Sequence, residues 1–158
     1  MSASIESKLF TRLGLEKIQG SVPRFEFQNS KSEILTGDAY RSKSLILHFW
    51  ATWCESCKKE LPQLGKVIEN MPGADFLALS SDDINAPSRV KTFIESSHLN
   101  IPSYILTAQP ENKKFIAWGI PMTYFVSANR KLFLRARGAK DWSQASAEDL
   151  QKLARLLK

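Results

Sequence analysis

The segment Ser44–Trp50 (SLILHFW) reads as a buried strand, and within four residues it runs into Cys54-Glu55-Ser56-Cys57. From Lys58 to Met71 the pattern turns helical, with Leu61, Leu64, Ile68 and Met71 on one face. A strand that passes through a tight turn into a helix sets the first cysteine at the helix N-terminus. Unpaired backbone N–H groups and the positive end of the helix dipole converge there. That setting favours thiolate over thiol, and the thiolate is the form that attacks disulfides. Cys54 and Cys57 are the only cysteines among 158 residues, so they do not make a framework of structural staples. A zinc site needs about four ligands. His48 and His98 are the only histidines and there is no second cysteine pair, so no metal is expected. The chain reads as built for thiol–disulfide exchange, with no cofactor beyond its own dithiol.

The rest of the chain supplies an α/β frame for that turn. Residues 1–20 form a polar, weakly helical arm in which Phe10, Leu13 and Ile18 can dock on the body. The domain proper spans 21–158. Val22–Phe27 and Ser32–Leu35 suggest a short hairpin. Pro62 lies inside the helix after the cysteines and predicts a kink, because proline lacks the amide donor and clashes with the preceding turn. Pro72-Gly73 ends that helix, and Asp75–Leu79 is the next strand. A helix opens at Pro87 with Val90, Phe93 and Ile94 on one face. Tyr104–Thr107 reads as a strand and Asn112–Trp118 as a short helix. Met122–Ser127 and Lys131–Arg137 form a hairpin around Ala128-Asn129-Arg130. Ser146-Ala147-Glu148-Asp149 caps a last helix whose stripe is Leu150, Leu153, Ala154 and Leu157. Strands alternating with helices predict a mixed central sheet with helices on both faces.

A hydrophobic content of 43% and a charged content of 24% suit one soluble domain. The net charge is +6. Arg130, Lys131, Arg135, Arg137 and Lys140 form a loose basic group, either a solvated hairpin face or a patch for acidic protein partners. The aromatics do not interleave with these cations, so no nucleic-acid surface is expected. No stretch is apolar for long enough to span a membrane. The first twenty residues lack the apolar run of a secretory signal. The compartment then reads as cytosolic, or as outside the cytosol with a leader lost.

The run Phe49–Pro62 (FWATWCESCKKELP), the segment Gly119-Ile120-Pro121-Met122-Thr123 before a strand, and the closing hairpin and helix together resemble the thioredoxin fold. The likeness extends over roughly Val22–Leu157. More narrowly, the cysteine run, the N-terminal hairpin and the extra strand–helix insertion between Asp75 and Asn100 are similar to the TlpA/ResA branch of bacterial thiol–disulfide oxidoreductases. Gly138–Trp142 is similar to that branch's segment after the last hairpin. The resemblance implies protein disulfides or dithiols as substrates, an electron-donor redox protein as partner, and a monomer. It also implies a reductant's role, in cytochrome c maturation or envelope thiol homeostasis, and a periplasmic or envelope location, with the cytoplasm as the alternative.

The resemblance also implies roles for single residues. Cys54 is the exposed nucleophile and Cys57 the buried resolving thiol. Pro121 is cis, and Ile120 offers its backbone to an extended substrate segment. Glu55 and Ser56 tune the thiolate; Glu55 opposes the dipole while Lys58 and Lys59 assist it, and the balance stays open. Trp50 belongs to the core, and Trp53 covers the disulfide and touches substrate. His48 stands where thioredoxins have a buried aspartate and the ResA branch more often asparagine. It either takes a proton from Cys57 or is a core histidine bonded to the backbone. Asp83 is the counterpart of a loop glutamate that relays protons in some relatives, or else a solvent-facing cap of the next helix. Two rival classes remain. Peroxiredoxins resemble this fold but carry a lone peroxidatic cysteine after a Pro/Thr-rich turn, and a non-catalytic module would use the Pro121 groove only as a dock.

Overall fold

Strand β4 (Ser44–Trp50) is buried along its whole length and forms the axis of the computed structural model, which describes residues 2–158. It pairs in parallel with β5 (Ala74–Ser80) and antiparallel with β7 (Met122–Val126). Outward from β7 come β8 (Phe133–Arg137) and then β1 (Glu16–Lys17). Outward from β5 come β6 (Tyr104–Leu106), β2 (Glu26–Gln28) and β3 (Ile34–Thr36). The sheet is mixed and eight-stranded, in the order β1-β8-β7-β4-β5-β6-β2-β3.

Alternation along β4 divides the core into two layers. Leu45, Leu47 and Phe49 point to one face. They meet Phe25, Phe27, Leu77, Leu79, Phe115, Met122, Tyr124 and Phe133. Ile46 and Trp50 point to the other face, and His48 shares their parity. There they meet α1 (Ala3–Leu13), α2 (Glu55–Glu60), α3 (Leu64–Asn70), α4 (Ser88–Ser96) and α5 (Ala147–Leu157), each of which contributes buried apolar residues or Cys57. The two faces are covered unequally. All five α-helices serve the second layer, while the first is closed by the hairpin β2–β3 and by 3₁₀ turns at Gly37–Tyr40 and Pro110–Phe115.

Several elements differ in detail from their sequence signals. The helix expected over Lys58–Met71 begins at Glu55 and is interrupted by a 3₁₀ turn, Leu61–Gln63, carrying Pro62. Proline's missing donor is the physical cause, as the residue order predicts. The helix expected at Asn112–Trp118 is a 3₁₀ turn that ends at Phe115, leaving Trp118 in a connecting turn. The N-terminal arm docks through Leu9, Phe10 and Leu13 on the helical face and through Ile18 on the other. Gly14 ends α1 in the left-handed region (φ 69°), its N–H capping the carbonyls of Phe10 and Thr11. The two-residue strand β1 was not signalled, because two residues carry no periodicity.

Candidate active site

Strand β4 delivers Thr52 and Trp53 to the mouth of α2, and Cys54 is the residue that caps that helix. Its backbone is extended (φ −102°, ψ 106°), and Sγ accepts the N–H of Cys57 at 3.3 Å. Cys54 and Cys57 form a disulfide, with their Cα atoms 5.3 Å apart. Their burial differs sharply: Cys57 is 0% exposed, whereas Cys54 is only partly buried and its Sγ lies 3.6 Å from the Ser56 hydroxyl. The outer sulfur is open to attack and the inner one is sealed. Trp53 is largely exposed beside the outer sulfur, and Trp50 is core.

Charges at the helix start offset each other. The Glu55 carboxylate meets Lys58 Nζ at 2.8 Å, which holds it below the ordinary carboxylate range. Its opposition to the dipole is thereby offset locally, and Lys59 carries no carboxylate partner among the described residues. The Ile120–Pro121 peptide is cis. Pro121 leads directly into β7, where Met122 pairs with Phe49 and Thr123 with His48. The register thus brings the Ile120–Pro121 turn to the same end of the sheet as the cysteines.

His48 is completely buried, and its partner is a side chain, not the backbone. Its Nδ1 lies 2.9 Å from the Thr123 hydroxyl. Its Nε2 has no hydrogen bond and faces Oε1 of Glu60, also unpartnered, at 4.0 Å. Glu60 is 2% exposed and is held by its other oxygen, which accepts the Lys140 N–H at 3.0 Å and the Trp142 indole N–H at 2.8 Å. Burial lowers the imidazole to about 3. Burial likewise raises the Glu60 carboxyl, against the pull of the Lys140 and Trp142 donors. The separation is too long for a hydrogen bond, and desolvation disfavours both charges. We therefore describe a neutral imidazole facing a carboxyl inclined to hold its proton, not an ion pair.

Glu60 was absent from the sequence-derived site. A signal was there: Cys57, Glu60, Leu64 and Val67 fall on one helical stripe, and an acid on an apolar stripe is out of place. Asp83 does not join the cysteines. It is exposed and accepts the N–H of Asn85. The inward acid of that loop is its neighbour Asp82, 5% exposed, which binds the N–H and hydroxyl of Thr52 and the hydroxyl of Ser80. His98 is exposed beyond α4, away from this layer. Among the described residues no three His, Cys, Asp or Glu side chains are grouped to hold a metal ion.

This strand–disulfide–helix frame with its cis-proline turn lies within residues 18–135, which match the AhpC/TSA family. The chain belongs to the AhpC/TSA family. Within that family's range of likeness, the thiol–disulfide oxidoreductase ResA of Bacillus thuringiensis subsp. konkukian is 23% identical over 146 residues, covering 91% of this chain and 83% of ResA. A thiol:disulfide interchange protein of the thioredoxin family from Chlorobium tepidum superposes with a TM-score of 0.63 at 19% identity, over 90% of this chain and 98% of that one. A secreted disulfide oxidoreductase of Mycobacterium tuberculosis gives 0.62 at 19% identity, over 84% and 96%. The thioredoxin fold implied by the cysteine run and Pro121 is thus observed in this AhpC/TSA chain.

Proposed function

We propose that this chain is a thiol–disulfide oxidoreductase that reduces protein disulfides through Cys54 and Cys57. The observation that carries the reading is the asymmetry of the pair: a half-open sulfur at a helix N-cap, bonded to a fully sealed one a turn along. The relatives named as oxidoreductases support it.

In the reducing direction, a donor dithiol protein first opens the Cys54–Cys57 bond. It supplies two electrons and two protons and becomes a disulfide itself. The Cys54 thiolate then attacks one sulfur of the substrate disulfide, forming a mixed disulfide and expelling a substrate thiolate. Cys57 loses its proton and attacks Cys54 Sγ. The internal disulfide re-forms, and the second substrate thiolate leaves; both pick up protons. The cis-proline turn presents the Ile120 backbone to an extended substrate segment, as strand addition requires.

A sealed Cys57 needs a nearby proton acceptor. Three ionisable side chains are buried on this side of the sheet: His48, Glu60 and Asp82. Asp82 is fully engaged by Thr52 and Ser80. Glu60 follows Cys57 by three residues on the same helix face, and its free oxygen looks at His48. We assign the proton from Cys57 to this pair: Glu60 accepts it when ionised, a form that its burial makes scarcer as pH falls, and His48 is the group that positions it. Glu55 and Ser56 set the thiolate's surroundings, and Trp53 covers the outer sulfur. The likeness to a secreted oxidoreductase supports a place in the bacterial envelope, and we read the chain as a monomer working with a redox-protein donor.

The peroxide-reductase reading is favoured by the family's name alone. A second cysteine closed in a disulfide one helical turn on suits exchange with dithiols, and Asp83, turned to solvent, has no part in the proton path. The test pairs insulin reduction with peroxide turnover. Wild type is expected to precipitate insulin chains with a dithiol donor and to leave peroxide unconsumed. Cys57→Ser should stop turnover and accumulate a covalent adduct through Cys54. A Cys57→Ser protein that trapped no adduct, or a wild type that consumed peroxide faster than it cut insulin, would overturn the reading.

A further inference from the structure

Two tryptophans stand far out into solvent, Trp53 at 65% and Trp118 at 69% exposed. The other exposed large apolar side chains among the described residues are isoleucines on α1, β3 and α3, each less exposed than either ring. Trp53 follows the end of β4, and Trp118 precedes the Ile120–Pro121 turn that opens β7. Phe49 and Met122 pair across those two strands, so both indoles belong to the disulfide end of the sheet.

Trp118 is braced. The Arg137 guanidinium lies 5.2 Å from its ring centroid. Arg137 is itself fixed, its Nε and Nη2 donating to the Glu16 carboxylate at 2.7 and 3.1 Å. The Gly119 N–H, next along the chain, donates to the Ile116 carbonyl at 2.8 Å. One face of the indole is therefore stacked on a cation anchored in β1, and the rest is offered to solvent. An ordered, exposed aromatic loses little freedom on binding and gains a large apolar contact.

The rim around these rings leans basic. Glu16 and Glu55 are each bound to basic side chains. Asp83 and Asp141 are turned to their own loops, accepting from Asn85 and Ser143. Three cations are left without a carboxylate partner among the described residues. Lys59 and Lys140 line a cleft that opens at Ser56, together with Glu60 and Asp141, and the Lys140 ammonium packs against Gly14, 5.9 Å from the Trp142 ring. Arg89 lines one that opens at Thr52. The two clefts flank the disulfide.

We propose that Trp118, braced by Arg137 and Glu16, is a specificity-determining contact opposite Trp53. Together they grip an extended protein segment whose reacting cysteine is flanked by acidic residues. The segment's backbone lies along Ile120, an apolar side chain or ring packs on Trp118, and its carboxylates meet Lys59 and Arg89. The proposal rests on the oxidoreductase reading and adds to it a substrate class.

The experiment compares three substrates: two disulfide-bridged peptides of equal length, one flanked by Asp and Glu and one by Lys and Arg, and the small neutral 2-hydroxyethyl disulfide. For wild type, KM for the acidic peptide is expected about ten-fold below that for the basic one, and the gap should narrow with salt. Trp118→Ala should raise KM for the acidic peptide about ten-fold relative to 2-hydroxyethyl disulfide, with kcat and the midpoint potential held. Trp118→Phe should recover most of the loss, and Glu16→Gln, which frees Arg137, should fall between. An unchanged KM in Trp118→Ala would overturn the aromatic contact. Equal KM values for the two peptides in wild type would overturn the acidic substrate class. A wild type that reduced none of the three substrates would instead remove the oxidoreductase reading, and this dock with it.

Discussion

The two faces of the sheet solve different problems. The face closed by the hairpin is a stack of rings and aliphatic chains. Phe49 stacks on Phe115 with centroids 4.9 Å apart, and Tyr124 meets Phe115 and Phe133 at 5.3 Å. Its buried polar groups are satisfied: the Tyr124 hydroxyl donates to the Phe115 carbonyl, and the Asn112 amide bonds to the backbone of Glu26 and Thr107. The helical face is compromised by comparison. Among the described residues, the buried side-chain nitrogens and oxygens without a partner are His48 Nε2, Trp50 Nε1 and Glu60 Oε1, and all three lie on this side. An unpaired buried polar atom costs about 1–3 kcal/mol. The molecule concentrates that cost on the side of Cys57, where the proposed exchange would move a proton, and leaves no such atom in the opposite layer among the described residues. Stability and chemistry are thus assigned to opposite sides of one strand, by the alternation of Leu47, His48 and Phe49.

That division can be broken most forcefully from the opposite layer. Phe115→Ala removes a ring that touches Phe25, Phe49, Tyr124 and Phe133. It is expected to cost about 3–5 kcal/mol in chemical denaturation. The midpoint potential of the disulfide should stay where it is; a potential that moved with the stability would dissolve the division.

A pH series sharpens the comparison from the other side. Burial lowers folded His48 to about 3, while an unfolded histidine protonates near 6.5. Between those values the unfolded chain holds the extra proton, so stability should fall as pH drops from about 6.5 towards 3. Glu60 acts with the opposite sign. Its folded value is raised, so it adds stability at low pH that is lost as pH rises through that value. His48→Asn should flatten the acid-side loss, and Glu60→Gln should steepen it. In turnover, Glu60→Gln should slow resolution of the mixed disulfide and erase its pH dependence, and His48→Asn should shift that profile. A profile unmoved in both variants would remove the pair from the proton path. The smallest effect concerns the helical face away from this pair. Ser146 caps α5 by accepting the Asp149 N–H at 3.1 Å, and Ser146→Ala should cost about 1 kcal/mol with the pH profile unaltered. A shifted profile would mean that the whole face, not the His48–Glu60 contact, sets the chemistry.

Much of this was legible from residue order where a local rule acts alone. The run before Cys54, the interruption at Pro62, the hairpin around Asn129 and the Ser146 cap each follow from a few neighbouring residues. The cis turn at Pro121 was reached through resemblance, since the isomer is set by surroundings distant in sequence. What escaped depended on tertiary context. Glu60 looked like one more helical acid until Trp142 and Lys140, some eighty residues on, arrived to bind it. Asp82 and Asp83 are chemically identical neighbours, and only the position of Thr52 selects the inward one. Trp118 gave no periodic signal because it sits in a turn. The gathering of all five α-helices on one side reflects where Pro110–Phe115 settles as a 3₁₀ turn, which no stripe of apolar residues announces.

The lengths of the outermost strands carry a further consequence. β1 has two residues and β3 has three, whereas the ladders of β4 with β5 and β7 are long and interior. A sheet whose margins are this abbreviated gives other copies little template for lateral growth. A protein whose trade is to lie briefly against foreign polypeptides benefits from that reticence: its borders do not invite permanent company, and encounters are left to the short stretch of chain next to the sulfurs.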